Sequence, residues 1–337
     1  MATLSIISNS KFNTKLEFRN FPLTFVNSLR RIVLSDIPTV VIRDVQIITN
    51  TSQMPHEMLK HRMELLPVNV EHTNTQIIKE CSLELKVTPQ KDYNKVTTDD
   101  FVVTNGRANV LMKDRELDTP LLFLHLKPNE GVHIKAKLAV ENSSQVSNTS
   151  MSFHVDPQKA EYDRSAYLAK EMDKRKQQAV SMGVEWDVES DKKFIDEDNK
   201  IFDNHYIQRS YSKDLTGRPD WIDFSVESVG VLNAKEIIRL AVQRFKTKID
   251  EWLKEAVDNI QKGDGYTIKT KGNHTVGSVA QEIIYNSGDV TFVSYDIPHP
   301  LKPDMVIKLV TDKQPEDILK DFKKDFQGYC EILEKEL

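Results

Sequence analysis

Hydrophobic and polar positions along the chain spell one pattern twice. Near the start the residues read Thr24-Phe25-Val26-Asn27-Ser28-Leu29-Arg30-Arg31-Ile32-Val33-Leu34; about 250 residues later they read Thr275-Val276-Gly277-Ser278-Val279-Ala280-Gln281-Glu282-Ile283-Ile284-Tyr285. Each stretch opens on a threonine able to accept a backbone N–H as a helix cap, then sets apolar residues at helical spacing. Each leads into a β-branched, strand-like run, Thr39 to Ile48 and Val290 to Ile297. Two such half-modules in one polypeptide predict a pseudo-symmetric pair with dimer-like geometry.

The pattern between them is different. Leu4 to Ile7 and Lys15 to Arg19 read as strands, and a second short helix is expected from Pro55 to Leu65, ended by Pro67. From Val68 to Val155 alternation dominates, as in Cys81 to Val87 and His133 to Leu138, so a β-rich insertion is expected. Lys159 to Met182 is a polar helix former, and Glu185 to Asp203 is acidic and expected as a mobile loop. After a strand at Trp221 to Glu227, Gly230 and Asn233 lead into a long helix. Its apolar positions Ile238, Val242, Phe245, Ile249, Trp252 and Ala256 step by 4 and 3, a seam made to lie along another helix. Leu319, Phe322, Phe326, Tyr329 and Leu333, in a helix opened by Pro315, supply a matching seam. Gly263-Asp264-Gly265 is the expected joint between halves. The expected division is 1–49 and 221–260 for the first half-module, 50–220 for the insertion, and 261–337 for the second half-module. The fold class is α+β.

Composition narrows the function. Of 337 residues, 39% are hydrophobic, enough for two or three ordinary cores. A net charge of −5 gives no basic footprint, so no direct nucleic-acid contact is expected. No apolar run approaches the ~18–20 residues of a membrane span, and no signal-peptide pattern opens the chain. Cys81 and Cys330 are far apart, which points to a reducing compartment and no disulfide framework. The expectation is a soluble intracellular protein without a membrane partner.

Catalytic chemistry is sparse. His56 and His61 are five apart, about 140° round a helix, where a zinc-protease helix needs i and i+4. Cys81 has no second cysteine nearby to build a structural zinc site. There is no Walker A loop, nucleophile elbow or Rossmann glycine pattern, and Asp196-Glu197-Asp198 is too contiguous to converge on magnesium. No catalytic residue and no metal ligand is assigned. Arg30 and Arg31, on a helix expected at the centre of the pair, fit an interface role.

Asn27-Ser28-Leu29-Arg30-Arg31, then Asp36-Ile37-Pro38, Val45, Asn50, Ser52, Glu57, Leu59 and His61-Arg62-Met63-Glu64-Leu65-Leu66-Pro67, resembles the signature of the D-type, alpha-like subunits of multisubunit DNA-directed RNA polymerases. His274-Thr275-Val276-Gly277, Val290-Thr291-Phe292 and Tyr295-Asp296-Ile297-Pro298-His299-Pro300 resembles the L-type, eleventh-subunit-like signature. The chain departs from these patterns at His56, Lys60, Gly272-Asn273, Ser278 and Ser294. It also lacks the cysteine cluster that binds zinc or an iron–sulfur centre in many D-type subunits, so no metal is carried over.

The resemblance implies a non-catalytic assembly platform, a D/L pair within one chain. Phe25, Leu29 and Ile32 would meet Val276, Val279 and Ile283, while Phe245, Ile249 and Trp252 would meet Phe322 and Phe326. Arg30, Arg31, His61 and Arg62 are the candidates for docking the second-largest subunit. The largest subunit, and small subunits resembling the tenth and twelfth, complete the expected partners. No cofactor is expected in this chain, and the Mg2+ of nucleotidyl transfer is expected in the catalytic subunits. D and L fused in this order is similar to an arrangement in large DNA viruses of eukaryotes, which implies a virion and host-cytoplasm location, with the host nucleus as an alternative. Arg30-Arg31 answers to Gln281-Glu282, so the two helices are expected to show opposite charge to different partners. Two other classes compete: an interaction module outside transcription, and a metalloenzyme built on His56, His61 and Cys81.

Overall fold

The computed structural model describes residues 2–106, 109–142, 146–185 and 188–337. The chain opens with β1 (Thr3–Asn9), β2 (Asn13–Arg19), α1 (Leu23–Ser35) and β3 (Pro38–Asn50). There follow α2 (His56–Glu64), α3 (Thr75–Glu80), β4 (Ser82–Val87), β5 (Asn94–Thr97), β6 (Phe101–Thr104), β7 (Leu122–Leu126), β8 (Val132–Asn142) and β9 (Ser147–Phe153). Two helices, α4 (Pro157–Ser181) and α5 (Val188–Ile201), precede β10 (Trp221–Ser228) and the long α6 (Ala234–Asp258). The last part is β11 (Ile260–Lys262), β12 (Tyr266–Lys271), α7 (His274–Asn286), β13 (Phe292–Asp296), β14 (Asp304–Val310) and α8 (Pro315–Glu336). The fold is α+β.

Two antiparallel sheets enclose a layer of helices. The first has strand order β1-β2-β10-β9 and the second β11-β12-β14-β13. In β2 and β10 the alternation is clean: Leu16, Phe18, Ile222, Phe224 and Val226 are buried on one face, with polar side chains and Trp221 on the other. That buried face receives α1 and α6, and α6 also packs on β12 of the second sheet. One continuous core therefore contains Phe18, Phe25, Ile32 and Phe245 together with Ile268, Ile283 and Phe322. The insertion has a separate core, with Leu59, Met63, Leu83, Phe123 and Ile134, under the sheet β3-β8-β4-β6.

The structure redraws the expected boundaries. β3, expected to stay largely with the first half-module, runs antiparallel to β8 from Pro38↔Asn142 to Asn50↔Val132 and sends Val40 and Ile42 into the insertion core. A long strand needs a ladder partner along its length, and β8 supplies it. Conversely β9, expected within the insertion, pairs with β10 in the first sheet. Gly263-Asp264-Gly265 is the turn of the β11/β12 hairpin, not the joint. A Cβ on Gly265 would lie 2.5 Å from the Leu309 carbonyl oxygen, so the turn needs glycine there. The halves meet at Asn259, the residue that ends α6.

The acidic segment is also different from its expectation. Most of it is α5, packed against α4. Arg175 holds the buried carboxylate of Asp198 at 2.8 Å, and Arg164 holds Asp203 at 2.7 Å. Acidic residues that look solvated along the sequence are neutralised by arginines of the preceding helix.

Candidate assembly interface

The doubled motif forms two helices in direct contact, and each threonine does something other than cap its own helix. α1 starts after Pro22 without a side-chain cap, whereas α7 is capped by Asn273, whose Oδ1 accepts the Val276 N–H at 3.1 Å. Thr24 instead donates its backbone N–H, at 2.8 Å, and its hydroxyl to one carboxylate oxygen of Glu282 on α7. At the other end of the contact, Arg31 on α1 donates its Nε–H to the Thr275 hydroxyl at 3.0 Å. The alignment equates Thr24 with Thr275 and Arg31 with Glu282. The two contacts therefore exchange under a pseudo-two-fold operation. Ser28 adds a hydroxyl donation to the Thr275 carbonyl at 3.2 Å. The Glu282 carboxylate sits at the positive end of the α1 dipole, where a negative charge is favoured.

Arg31 and Glu282 thus point across the crossing at the opposite helix. Arg31 stays exposed while making its contact, whereas Glu282 is half-buried against the start of α1. Gln281 is likewise engaged, accepting the Tyr295 N–H at 3.3 Å. Spacing carries the signal for these contacts: Thr24 to Arg31 and Thr275 to Glu282 are each seven residues, two helical turns on one stripe.

Around this crossing the apolar residues expected to join the halves are buried in the shared core: Phe25, Leu29, Ile32, Val276, Val279, Ile283, Phe245, Ile249, Trp252, Phe322 and Phe326. Phe25 lies 5.3 Å from the Phe245 ring, 5.7 Å from Phe326 and 5.6 Å from Tyr329, centroid to centroid. The seam of α6 and α8 runs antiparallel, with Phe245 edge-on to Phe326 at 4.8 Å and Trp252 edge-on to Phe322 at 5.7 Å. Lys246–Glu334 at 2.7 Å and Asp250–Lys323 at 2.8 Å flank the rings. The Trp252 indole N–H finds the Thr270 hydroxyl at 3.1 Å, tying the seam to β12. Burial pushes the Tyr329 phenol up, and pushes the Cys330 thiol in the same seam up to about 12.

The four candidate docking residues fall in two places. Arg30 is half-exposed on α1 with its Nε–H on Asn27 Oδ1 at 3.0 Å, and Arg31 is exposed beside it. His61 and Arg62 are exposed on α2, which rests on the insertion through Leu59 and Met63. Arg62 donates to the Phe123 carbonyl at 2.9 Å. Among the described residues no hydrogen bond or ion pair joins the two pairs. The sequence reading missed Arg218, on a turn before β10, which donates to Asn286 at the end of α7 at 3.3 Å.

Neither cysteine fits a metal cluster of the D-type kind. Cys81 is buried in the insertion core, where burial pushes its thiol up, and Cys330 lies in the separate core between the halves. Among the described residues, no helix is long and apolar enough to cross a membrane.

Two strand–helix modules sharing one core, crossed through reciprocal helix contacts, define the class as a paired dimerisation fold. The RNA polymerase Rpb3/Rpb11 dimerisation domain matches residues 15–249, and matches again over residues 266–336. The chain belongs to this family. It is similar to the DNA-directed RNA polymerase subunit Rpo3 of Pyrobaculum calidifontis, 34% identical over 32% of this chain and 43% of that protein. It is also similar to the DNA-directed RNA polymerase II subunit RPB3 of Schizosaccharomyces pombe, 29% identical over 46% of this chain and 60% of the relative. The chain spans about half the length of the curated relatives it matches.

Proposed function

We propose that this protein is a non-catalytic assembly platform of a DNA-directed RNA polymerase, with the D-like and L-like halves paired inside one chain. The reading rests above all on the reciprocal Thr24–Glu282 and Arg31–Thr275 contacts over one shared core. Joining the halves makes their encounter intramolecular, at an effective concentration that is millimolar for short flexible linkers, and sets their ratio at one to one. The platform presents Arg30 and Arg31 from α1 and His61 and Arg62 from α2 to the second-largest subunit, and also holds the largest. Small subunits resembling the tenth and twelfth flank it. The magnesium of nucleotidyl transfer belongs to the catalytic subunits, and the D-then-L order, similar to an arrangement in large DNA viruses, supports a virion and host-cytoplasm location, with the host nucleus as the alternative.

Arg31 also bonds Thr275, so its removal mixes docking with the helix crossing. The cleaner test replaces Arg30, His61 and Arg62 by Ala in the full chain and leaves Arg31 in place. The variant should stay soluble with an unchanged circular-dichroism spectrum and no longer co-purify with the second-largest subunit. Undiminished co-purification would remove the docking assignment.

A further inference from the structure

We infer that the outer face of the first sheet carries a divalent-metal site of the zinc class, formed by Glu17 on β2, Asp223 on β10 and His154 just beyond β9. It lies away from Cys81 and is independent of the polymerase reading.

The register brings these residues together. β2 and β10 pair Glu17 directly with Asp223, and β10 pairs Asp223 with Ser152 on β9. His154 continues that face beyond Ser152 and extends the ladder by one bond, its N–H donating to the Trp221 carbonyl at 3.0 Å. One potential ligand atom from each of Glu17, His154 and Asp223 lies within 4.8 Å of the others, and all three residues are half-buried. The imidazole is held in place: it stacks on Trp221 at 3.8 Å and 12°, and the Arg19 guanidinium lies 3.5 Å from that indole centroid. Its Nδ1 is 2.9 and 3.0 Å from the two Asp223 oxygens.

The charge balance asks for a cation. Two carboxylates directly opposed across a strand pair repel. Neither has a lysine or arginine partner among the described residues; Asp223 has only His154 and Glu17 has none. An imidazole and two carboxylates are ligand types that zinc accepts, and three of them leave a fourth tetrahedral position for water. Magnesium, which keeps most of its waters and takes oxygen ligands, fits the imidazole poorly. The ligands come from residues 17, 154 and 223, so binding would close long loops and tie the root of α4 to the sheet. Its free energy would then appear as folding stability.

The test uses the full chain stripped with chelator and titrated with Zn2+ against a chromophoric competitor. One Zn2+ per chain should bind with a micromolar or tighter dissociation constant and raise the unfolding midpoint. His154→Ala and the near-isosteric Glu17→Gln should each weaken binding by about tenfold or more. His133→Ala removes the other imidazole–carboxylate pair, 2.6 Å from Glu84, and should leave the affinity unchanged. Binding only at millimolar zinc, or an affinity insensitive to both His154→Ala and Glu17→Gln, would overturn the site.

Discussion

α1 and α7 occupy equivalent places in the two half-modules, yet they are built to different sizes. Where α1 has Phe25, Val26 and Leu29, α7 has Val276, Gly277 and Ala280. A Cβ on Gly277 would lie 2.5 Å from the Tyr295 ring, so α7 approaches its own strand β13 more closely than a side chain there allows. α1 instead sends Phe25 into the rings of α6 and α8. One helix thus supplies bulk to the shared core and the other supplies proximity. A pseudo-symmetric backbone can carry an asymmetric core because packing needs complementary volumes across a contact, not equal ones.

The largest effect should expose that asymmetry. Phe25→Ala removes a fully buried ring at the meeting point of three helices and should cost about 3–5 kcal/mol. Val276→Ala, at the equivalent place, removes two carbons and should cost roughly 1–2.5 kcal/mol. Urea unfolding of both variants measures the difference. Equal losses would mean that α1 and α7 contribute alike, and the division into bulk and proximity would fail.

A second pair of variants tests the polar part of the crossing. Glu282 is half-buried and accepts two hydrogen bonds with a full charge, at the start of α1. Glu282→Ala leaves the Thr24 N–H without its acceptor and should cost about 1–2 kcal/mol, after allowance for partial exposure. Arg31 is exposed and donates to a neutral hydroxyl, so Arg31→Ala should cost under about 1 kcal/mol. A double-mutant cycle of Glu282→Ala with Thr24→Ala should show coupling well above the cycle of Arg31→Ala with Thr275→Ala. The reverse order would show that the crossing is held from the arginine end.

The readability of the sequence follows the range of the interactions. The α6 and α8 seams were legible because helical period is local, and every residue named for them is in the shared core except Tyr329, which packs against it half-buried. The doubled motif was legible for the same reason. The placement of β3 and β9 was not: a strand's pattern gives its faces, but pairing ten residues of β3 with β8, or β9 with β10, is a non-local choice. Asp198 was misread for a related reason. Its environment is set by Arg175 on the neighbouring helix, and composition along the chain cannot show that neighbour. The Thr24 and Thr275 contacts were written in the two-turn spacing, but local capping offered a simpler use for the same hydroxyl.

The smallest effect concerns a contact with no equivalent on the other side. The segment leading into β10 reaches over the second half-module through the turn at Asp214 to Arg218, and Arg218 touches Asn286 of α7. Asp214 organises this turn by accepting the Thr216 hydroxyl and the backbone N–H groups of Thr216 and Arg218. The Thr216 hydroxyl, with the Arg218 N–H next, holds its carboxyl below the usual aspartate range. A lowered folded value means that the contribution is complete above the unfolded value of about 3.9 and is lost as pH falls through the folded one. Protection of the Gly217 and Arg218 amides, corrected for intrinsic exchange, should therefore hold from neutral pH down to about 4 and then decline. Asp214→Asn should lower that protection at neutral pH and leave the global unfolding midpoint in place, because the turn is exposed and outside both cores. If Asp214→Asn leaves both amides as protected as before, the carboxylate is not what shapes the turn, and the one-sided reach of this segment over the second half-module has another cause.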